Sequence, residues 1–171
     1  MKKIMLLMLL SPVIAFANGN DDGVYIGISS GYGIANTLNP MDNWASFDSG
    51  LAGRVDFGSR IDTSFGFEIG YSQASILNNN PTGYNLDVLL NYYQETNSRW
   101  NLIYGVGPFY NSAVAGVGVL FNFGTEYYFS KSVAWTMGEY LYINPNVQGN
   151  YNSISPYLLN NIVTTGFKFN F

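Results

Sequence analysis

Apolar and polar residues alternate with a period of two through most of positions 23–171, with no helical stripe of useful length. Such alternation marks strands that keep one face in an apolar medium. Eight segments carry it. In 23–32, Val24, Ile26, Ile28 and Tyr32 oppose Tyr25, Gly27, Ser29 and Gly31. In 50–57, Leu51, Gly53, Val55 and Phe57 oppose Ala52, Arg54 and Asp56. In 63–72, Phe65, Phe67, Ile69 and Tyr71 oppose Gly66, Glu68 and Gly70. In 84–92, Leu86, Val88, Leu90 and Tyr92 oppose Asn85, Asp87 and Asn91. The 100–110 segment sets Leu102, Tyr104 and Val106 against Asn101, Gly105 and Gly107. The 116–129 segment sets Val117, Val119, Phe121, Phe123, Tyr127 and Phe129 against Gly118, Asn122, Gly124 and Glu126. In 161–171, Val163, Phe167, Phe169 and Phe171 oppose Thr164, Gly166, Lys168 and Asn170. The seventh segment, 134–143, alternates least cleanly. With Glu139 on the polar face, Tyr140 and Tyr142 go to the apolar face, and Trp135, Met137 and Leu141 turn inward.

The intervening stretches alternate in length. Those at 34–49, 73–83 and 144–160 are long, and those at 58–62, 93–99 and 130–133 are short. The 111–115 stretch is short where a long one is due. Long connections at one end and short ones at the other are the habit of a membrane barrel. An even number of strands brings both ends of the chain to the same side.

Residues 1–17 read differently. Lys2 and Lys3 precede a short apolar run, and Ala15-Phe16-Ala17 fits a small-x-small cleavage pattern. This predicts a secretory signal peptide, 1–17, cleaved after Ala17, and a barrel over 18–171. A spanning anchor is the alternative, but its apolar run would have to reach about 20 residues. Loss of Lys2 and Lys3 takes the net charge from −4 to −6.

Composition then narrows the classes. Charged residues make up 11% of the 171, and the chain holds no cysteine and no histidine. Disulfide frameworks and thiolate metal sites are excluded, as is histidine base chemistry. The acidic balance argues against nucleic acid as a partner. In this register the apolar faces carry no charge, and large aromatics sit near both strand ends. Phe57, Phe65, Tyr92, Trp100, Tyr127 and Phe129 lie near the short turns, and Tyr32, Tyr71, Tyr84 and Tyr110 near the long loops. Two aromatic girdles around an uncharged band fit lipid outside and a polar lumen inside. A soluble sandwich with scattered aromatics is the alternative. The predicted fold class is all-β, an eight-stranded antiparallel up-and-down transmembrane β-barrel.

The carriers Tyr25-Ile26-Gly27, Gly66-Phe67-Glu68, Gly124-Thr125-Glu126-Tyr127, Glu139-Tyr140 and Gly166-Phe167-Lys168-Phe169-Asn170-Phe171 add a resemblance. The chain resembles the small eight-stranded outer-membrane barrels, the group of the OmpA transmembrane domain, OmpX and the opacity proteins. The resemblance implies location in the bacterial outer membrane, with lipid and lipopolysaccharide as surroundings. It also implies an assembly signal at Phe167, Phe169 and Phe171, read by the barrel assembly machinery. It implies no cofactor, no metal and no enzyme, since the outer-membrane lipid A deacylases, palmitoyltransferases and omptin-type proteases of similar architecture need a histidine and this chain has none. Two departures stand out. The peptidoglycan-binding domain of full-length OmpA is not expected here, and Met137 falls where such barrels carry an inward Arg.

The predicted lumen charges are Arg54, Asp56, Glu68, Asp87, Glu126, Glu139 and Lys168, five acids against two bases. A hairpin centred near Ile61 would set Arg54 opposite Glu68. Eight strands leave an interior that side chains just fill, so these charges read as a plug more readily than as a gated path. Asp21, Asp22, Asp42 and Asp48 match no calcium loop. The long stretches hold no Lys or Arg, and offer Trp44, Phe47, Tyr151 and Tyr157 as contact residues amid Asn, Ser and Gly. Dipping into lipid headgroups is the other reading of those rings. The expected function is a structural or surface-interaction role, adhesion or host contact, through extracellular loops. The alternative is a narrow porin-like channel.

Overall fold

The computed structural model describes residues 23–39, 44–74, 83–112, 116–144 and 157–171. They form eight strands: β1 Val24–Asn39, β2 Trp44–Arg60, β3 Phe65–Ala74, β4 Tyr84–Asn97, β5 Trp100–Asn111, β6 Gly116–Ser130, β7 Val133–Asn144 and β8 Tyr157–Asn170. Each pairs antiparallel with the next, and β8 pairs with β1, so the sheet closes and has no free edge. Among the described residues there is no helix.

Following the pairing from Val24 through Ser59, Phe67, Leu90, Val106, Phe121, Leu141 and Asn161 returns to Ile34, a stagger of ten residues per circuit. Closure with such a stagger tilts the strands by roughly 35–45°. This exterior ring is built largely of the apolar positions read from the sequence, since a one-residue slip would turn a whole strand inside out.

The three described turns at the end carrying the termini share one local device. Asp62 Oδ1 accepts the N–H groups of Ser64 and Phe65 at 2.7 Å each. Asn97 Oδ1 accepts those of Arg99 and Trp100 at 3.0 and 3.1 Å. Ser130 Oγ accepts those of Ser132 and Val133 at 3.3 and 3.2 Å. In each, a short polar side chain takes the N–H groups two and three residues on, which reverses the chain in little space.

Seven strands face as their alternation predicts. The seventh does not. In β7, Tyr140 and Tyr142 are buried in the lumen, while Met137 and Glu139 are exposed on the outer wall and Trp135 and Leu141 lie half-buried on it. The inward side of β7 carries the small residues Ala134, Thr136 and Gly138 and then the two tyrosines, which serve Arg54. Met137 therefore occupies no inward position.

Two boundaries also differ from expectation. The 34–49 stretch is mostly hairpin, with β1 continuing to Asn39 and β2 beginning at Trp44. The β2–β3 hairpin is centred two residues later than Ile61, so Arg54 pairs with Ser72, and Glu68 with Gly58.

Candidate functional site

The lumen holds two ionic clusters, an aromatic bridge between them and an apolar layer above. Nearest the termini, Glu126 is fully buried and accepts from four groups. Lys168 Nζ donates at 2.7 Å, Tyr128 Oη at 2.8 Å and Asn101 Nδ2 at 2.9 Å. Arg60 Nη2 is the fourth donor, and it also reaches Tyr128 Oη at 2.9 Å. A carboxylate removed from water needs this degree of satisfaction.

The second cluster is built on Arg54, which is 1% exposed. Its Nη1 and Nη2 donate to the two oxygens of Asp87 at 2.7 and 2.8 Å, a bidentate clasp. Nη2 also donates to Glu68 Oε1 at 3.0 Å, and Nε lies 2.5 Å from Asp56 Oδ1. Tyr142 Oη accepts from Nη1 at 2.9 Å, and the Tyr140 ring lies 4.0 Å from the guanidinium carbon. Arginine suits this position because its planar fork serves several acceptors at once.

Gly70 makes the clasp reachable. A Cβ there would strike both the Arg54 guanidinium and the Asp87 carboxylate. Gly58 does the same for Tyr25, whose ring lies where a Cβ would point.

Tyr25 and Tyr93 join the clusters. Tyr25 Oη donates to Glu68 Oε2 at 2.8 Å and lies 3.3 Å from Tyr93 Oη. Lys168 Nζ sits 4.2 Å from the Tyr25 ring centroid, and the Arg60 guanidinium 4.1 Å from that of Tyr93. Cations over ring faces gain the most where water is excluded.

Toward the other end, Ala52, Leu89, Phe109, Leu120, Tyr140, Tyr142 and Ile162 pack into one buried cluster, with Phe109 and Tyr142 edge to face at 5.0 Å. Alongside it, Asn111 Nδ2 donates to Asn85 Oδ1 at 2.7 Å and Asn85 Nδ2 to Ser72 Oγ at 3.1 Å, and Ser72 Oγ lies 3.0 Å from Tyr142 Oη, which joins this chain to Arg54. An interior cavity of about 20 Å³ beside Gly27, Asp56, Asn122, Gly124 and Lys168 has room for one water molecule.

Of the seven charges predicted for the lumen, Arg54, Asp56, Glu68, Asp87, Glu126 and Lys168 are there. Glu139 is not. It stands on the outer wall, where it accepts from Asn161 Nδ2 at 2.7 Å. The sequence reading also missed Arg60 by leaving it in a turn, although its parity with Arg54 and Asp56 puts it inside. The described lumen thus has four carboxylates and three cations rather than five and two. The apolar layer went unread for a similar reason: Leu89, Phe109, Leu120 and Ile162 share the parity of the polar face but not its chemistry.

Trp44 and Phe47 lie within β2 and Tyr157 opens β8, rather than in loops. Their side chains, and all of Tyr151, lie outside the described residues. Phe167 and Phe169 face outward on β8, and Phe171 follows the strand, its N–H donating to Val24 O at 2.9 Å.

Outward aromatics band the barrel. Near the termini, Phe65 and Tyr92 meet at 5.3 Å, Trp100 and Tyr127 at 4.8 Å, and Trp135 joins Trp100 at 6.3 Å. Tyr71 and Tyr84 stack at 5.8 Å toward the other end.

Neither a family model nor a curated protein matches the chain. Solved structures do. The chain is similar to Neisserial surface protein A at 15% identity, over 86% of this chain and 97% of that one, with a TM-score of 0.66. It is similar to the N-terminal β-barrel domain of Pseudomonas aeruginosa OprF at 10% identity, over 90% and 100%, with a TM-score of 0.62. A third is Ail, the attachment invasion locus protein of Yersinia pestis, solved with the heparin analogue sucrose octasulfate, at 10% identity, over 86% and 99%, with a TM-score of 0.51. From its closed register and these likenesses, the chain has the fold of the small eight-stranded outer-membrane β-barrels.

Proposed function

We propose that the protein is an outer-membrane barrel whose lumen is a structural plug and whose role is surface interaction through the end away from its termini. The observation that carries this reading is the filled interior. Arg54 closes the lumen across β2, β3 and β4, and the apolar cluster contributed by β2 and β4 to β8 closes it again. Ions do not readily pass a constriction filled by packed side chains. The girdles and the uncharged majority of the outer wall support residence in a bilayer.

A scaffold with a plugged lumen leaves specificity to its exposed connections. The names of two similar proteins, a surface protein and an attachment invasion locus protein, agree with contact at a cell surface. The long stretches around 40–43 and 145–156 carry no Lys or Arg, so a polyanion such as the sucrose octasulfate held by Ail is a poor fit here. An uncharged or cationic surface suits them better. The lumen carboxylates are committed to ion pairs, which supports a non-enzymatic role.

The test is planar-bilayer conductance of the full chain recovered from the outer membrane, beside adhesion of cells that carry or lack residues 40–43 and 145–156. Silence in the bilayer with adhesion lost on deletion is the expected result. Reproducible conductance steps that change in Arg54→Ala would overturn it in favour of a narrow channel.

A further inference from the structure

The outer wall carries a polar breach that neither the lumen nor the girdles explain. Glu139 faces outward and is exposed. The outward residues of β7 are Val133, Trp135, Met137, Glu139, Leu141 and Ile143. Each residue climbs about 2.4 Å along the barrel axis at this tilt, so Glu139 lies about 10 Å from both Trp135 and Ile143. An apolar band is about 25 Å tall, which puts this carboxylate near mid-height. Its one described partner is Asn161 Nδ2, which serves Oε1 alone.

Two outward hydroxyls stand level with it. Glu139 pairs with Val163 and Val163 with Tyr32, and Thr165 and Ser30 each lie two residues along from these. One strand step raises the level by about 3 Å and two residues lower it by about 5 Å, so both hydroxyls come within about 2 Å of the height of Glu139. Thr165 Oγ1 accepts from Trp135 Nε1 at 2.8 Å and lies 3.2 Å from Thr136 O. Ser30 is exposed. Between them the wall is hollow. An open groove of about 440 Å³ is lined by Ile28, Ser30, Trp135, Thr165, Gly166 and Phe167.

Hydrocarbon cannot donate to a carboxylate, and lipid headgroups lie too far from mid-height to reach it. A donor supplied by protein satisfies it without protonation or a water defect in the bilayer. A two-fold axis along the membrane normal keeps every residue at its own height and makes the contact self-complementary. With Thr165 near that axis, Glu139 on β7 of one copy meets Ser30 on β1 of the other. The same patch thus supplies acceptor and donor twice.

We propose that the β7–β8–β1 wall is the contact between two copies of this chain in the membrane, each Glu139 accepting a hydrogen bond from the partner's Ser30.

The chain has no cysteine, so single cysteines report contacts without background. Thr165→Cys in the full chain, crosslinked with a short bis-maleimide in native membranes, is compared with Val106→Cys on the exposed face of β5. A covalent dimer at least tenfold more abundant for Thr165→Cys is expected. Adding Glu139→Leu should lower that yield at least fivefold, and Glu139→Gln should keep it. Ser30→Ala, which removes the donor rather than the acceptor, should lower it as Glu139→Leu does. Heat-dependent gel mobility shows that each variant is folded. Equal yields at Thr165 and Val106, or a yield unmoved by both Glu139→Leu and Ser30→Ala, overturn the proposal.

Discussion

Arg54 and Asp87 clasp each other through two parallel hydrogen bonds of 2.7 and 2.8 Å across the lumen, although they belong to β2 and β4 with β3 between them. The glycine of β3 at the crossing, Gly70, leaves the space the clasp occupies. Arg54 also serves Glu68 and Asp56. Its replacement by Ala leaves three carboxylates without their cation. Loss of one partner of a buried pair costs about 3–5 kcal/mol. The urea midpoint of the barrel in lipid vesicles should fall accordingly, and a loss under 1 kcal/mol would show that water replaces the guanidinium.

The space at Gly70 makes its own prediction. Gly70→Ala drives a methyl into the clasp, and overpacking of this kind costs about 1–3 kcal/mol. Gly53→Ala is the control, since a Cβ there meets nothing within 4 Å. It should stay within about 0.5 kcal/mol of the parent. The two midpoints measured side by side decide it, and equal values would mean that the clasp shifts freely.

The three turn acceptors should behave alike. Asp62→Ala, Asn97→Ala and Ser130→Ala each strip two backbone N–H groups of their partner. Net losses of about 0.5–1.5 kcal/mol per hydrogen bond bound the effect. Exposure to water should keep each variant at the low end, and Asp62→Asn should restore most of its share. Unfolding curves that separate Asp62→Ala from the other two by several kcal/mol would contradict a common device.

The lipid-facing wall is tested at Val106, exposed on β5. Val106→Arg should cost about 2–4 kcal/mol if this position lies near the bilayer midplane. The same change at Phe171, at the barrel rim, should cost about 1 kcal/mol or less. Equal costs at the two sites would argue that the wall does not face hydrocarbon.

How far the sequence carried the fold depends on how sharply each strand separates its two chemistries. In β2, Arg54 and Asp56 against Leu51, Val55 and Phe57 leave one choice of face. In β7 every outward residue but one is apolar and two of the inward ones are tyrosines, so a single Glu139 tipped the reading the wrong way. The tyrosines point inward because their hydroxyls and rings serve Arg54, a need that arises only once the barrel has closed. Arg60 was missed because turns are read from Gly, Ser and Asp, and Gly58-Ser59 suggested a bend where β2 continues. The polar 35–39 and 44–49 stretches read as loop because a hairpin standing clear of the band needs no alternation. Most members of the charge network were legible from parity. Their partners were not, since Arg54 meets Asp87 two strands away.

The apolar cluster of Leu89, Phe109, Leu120 and Ile162 divides the interior unequally. The Glu126 group lies toward the termini, while the Arg54 group touches the apolar cluster through Tyr140 and Tyr142. Arg60 gives the Glu126 group its contact with water on that side. A change of acidity or salt in the compartment that holds the termini therefore meets the Glu126 group first, and the Arg54 group only across the bridge of Tyr25 and Tyr93.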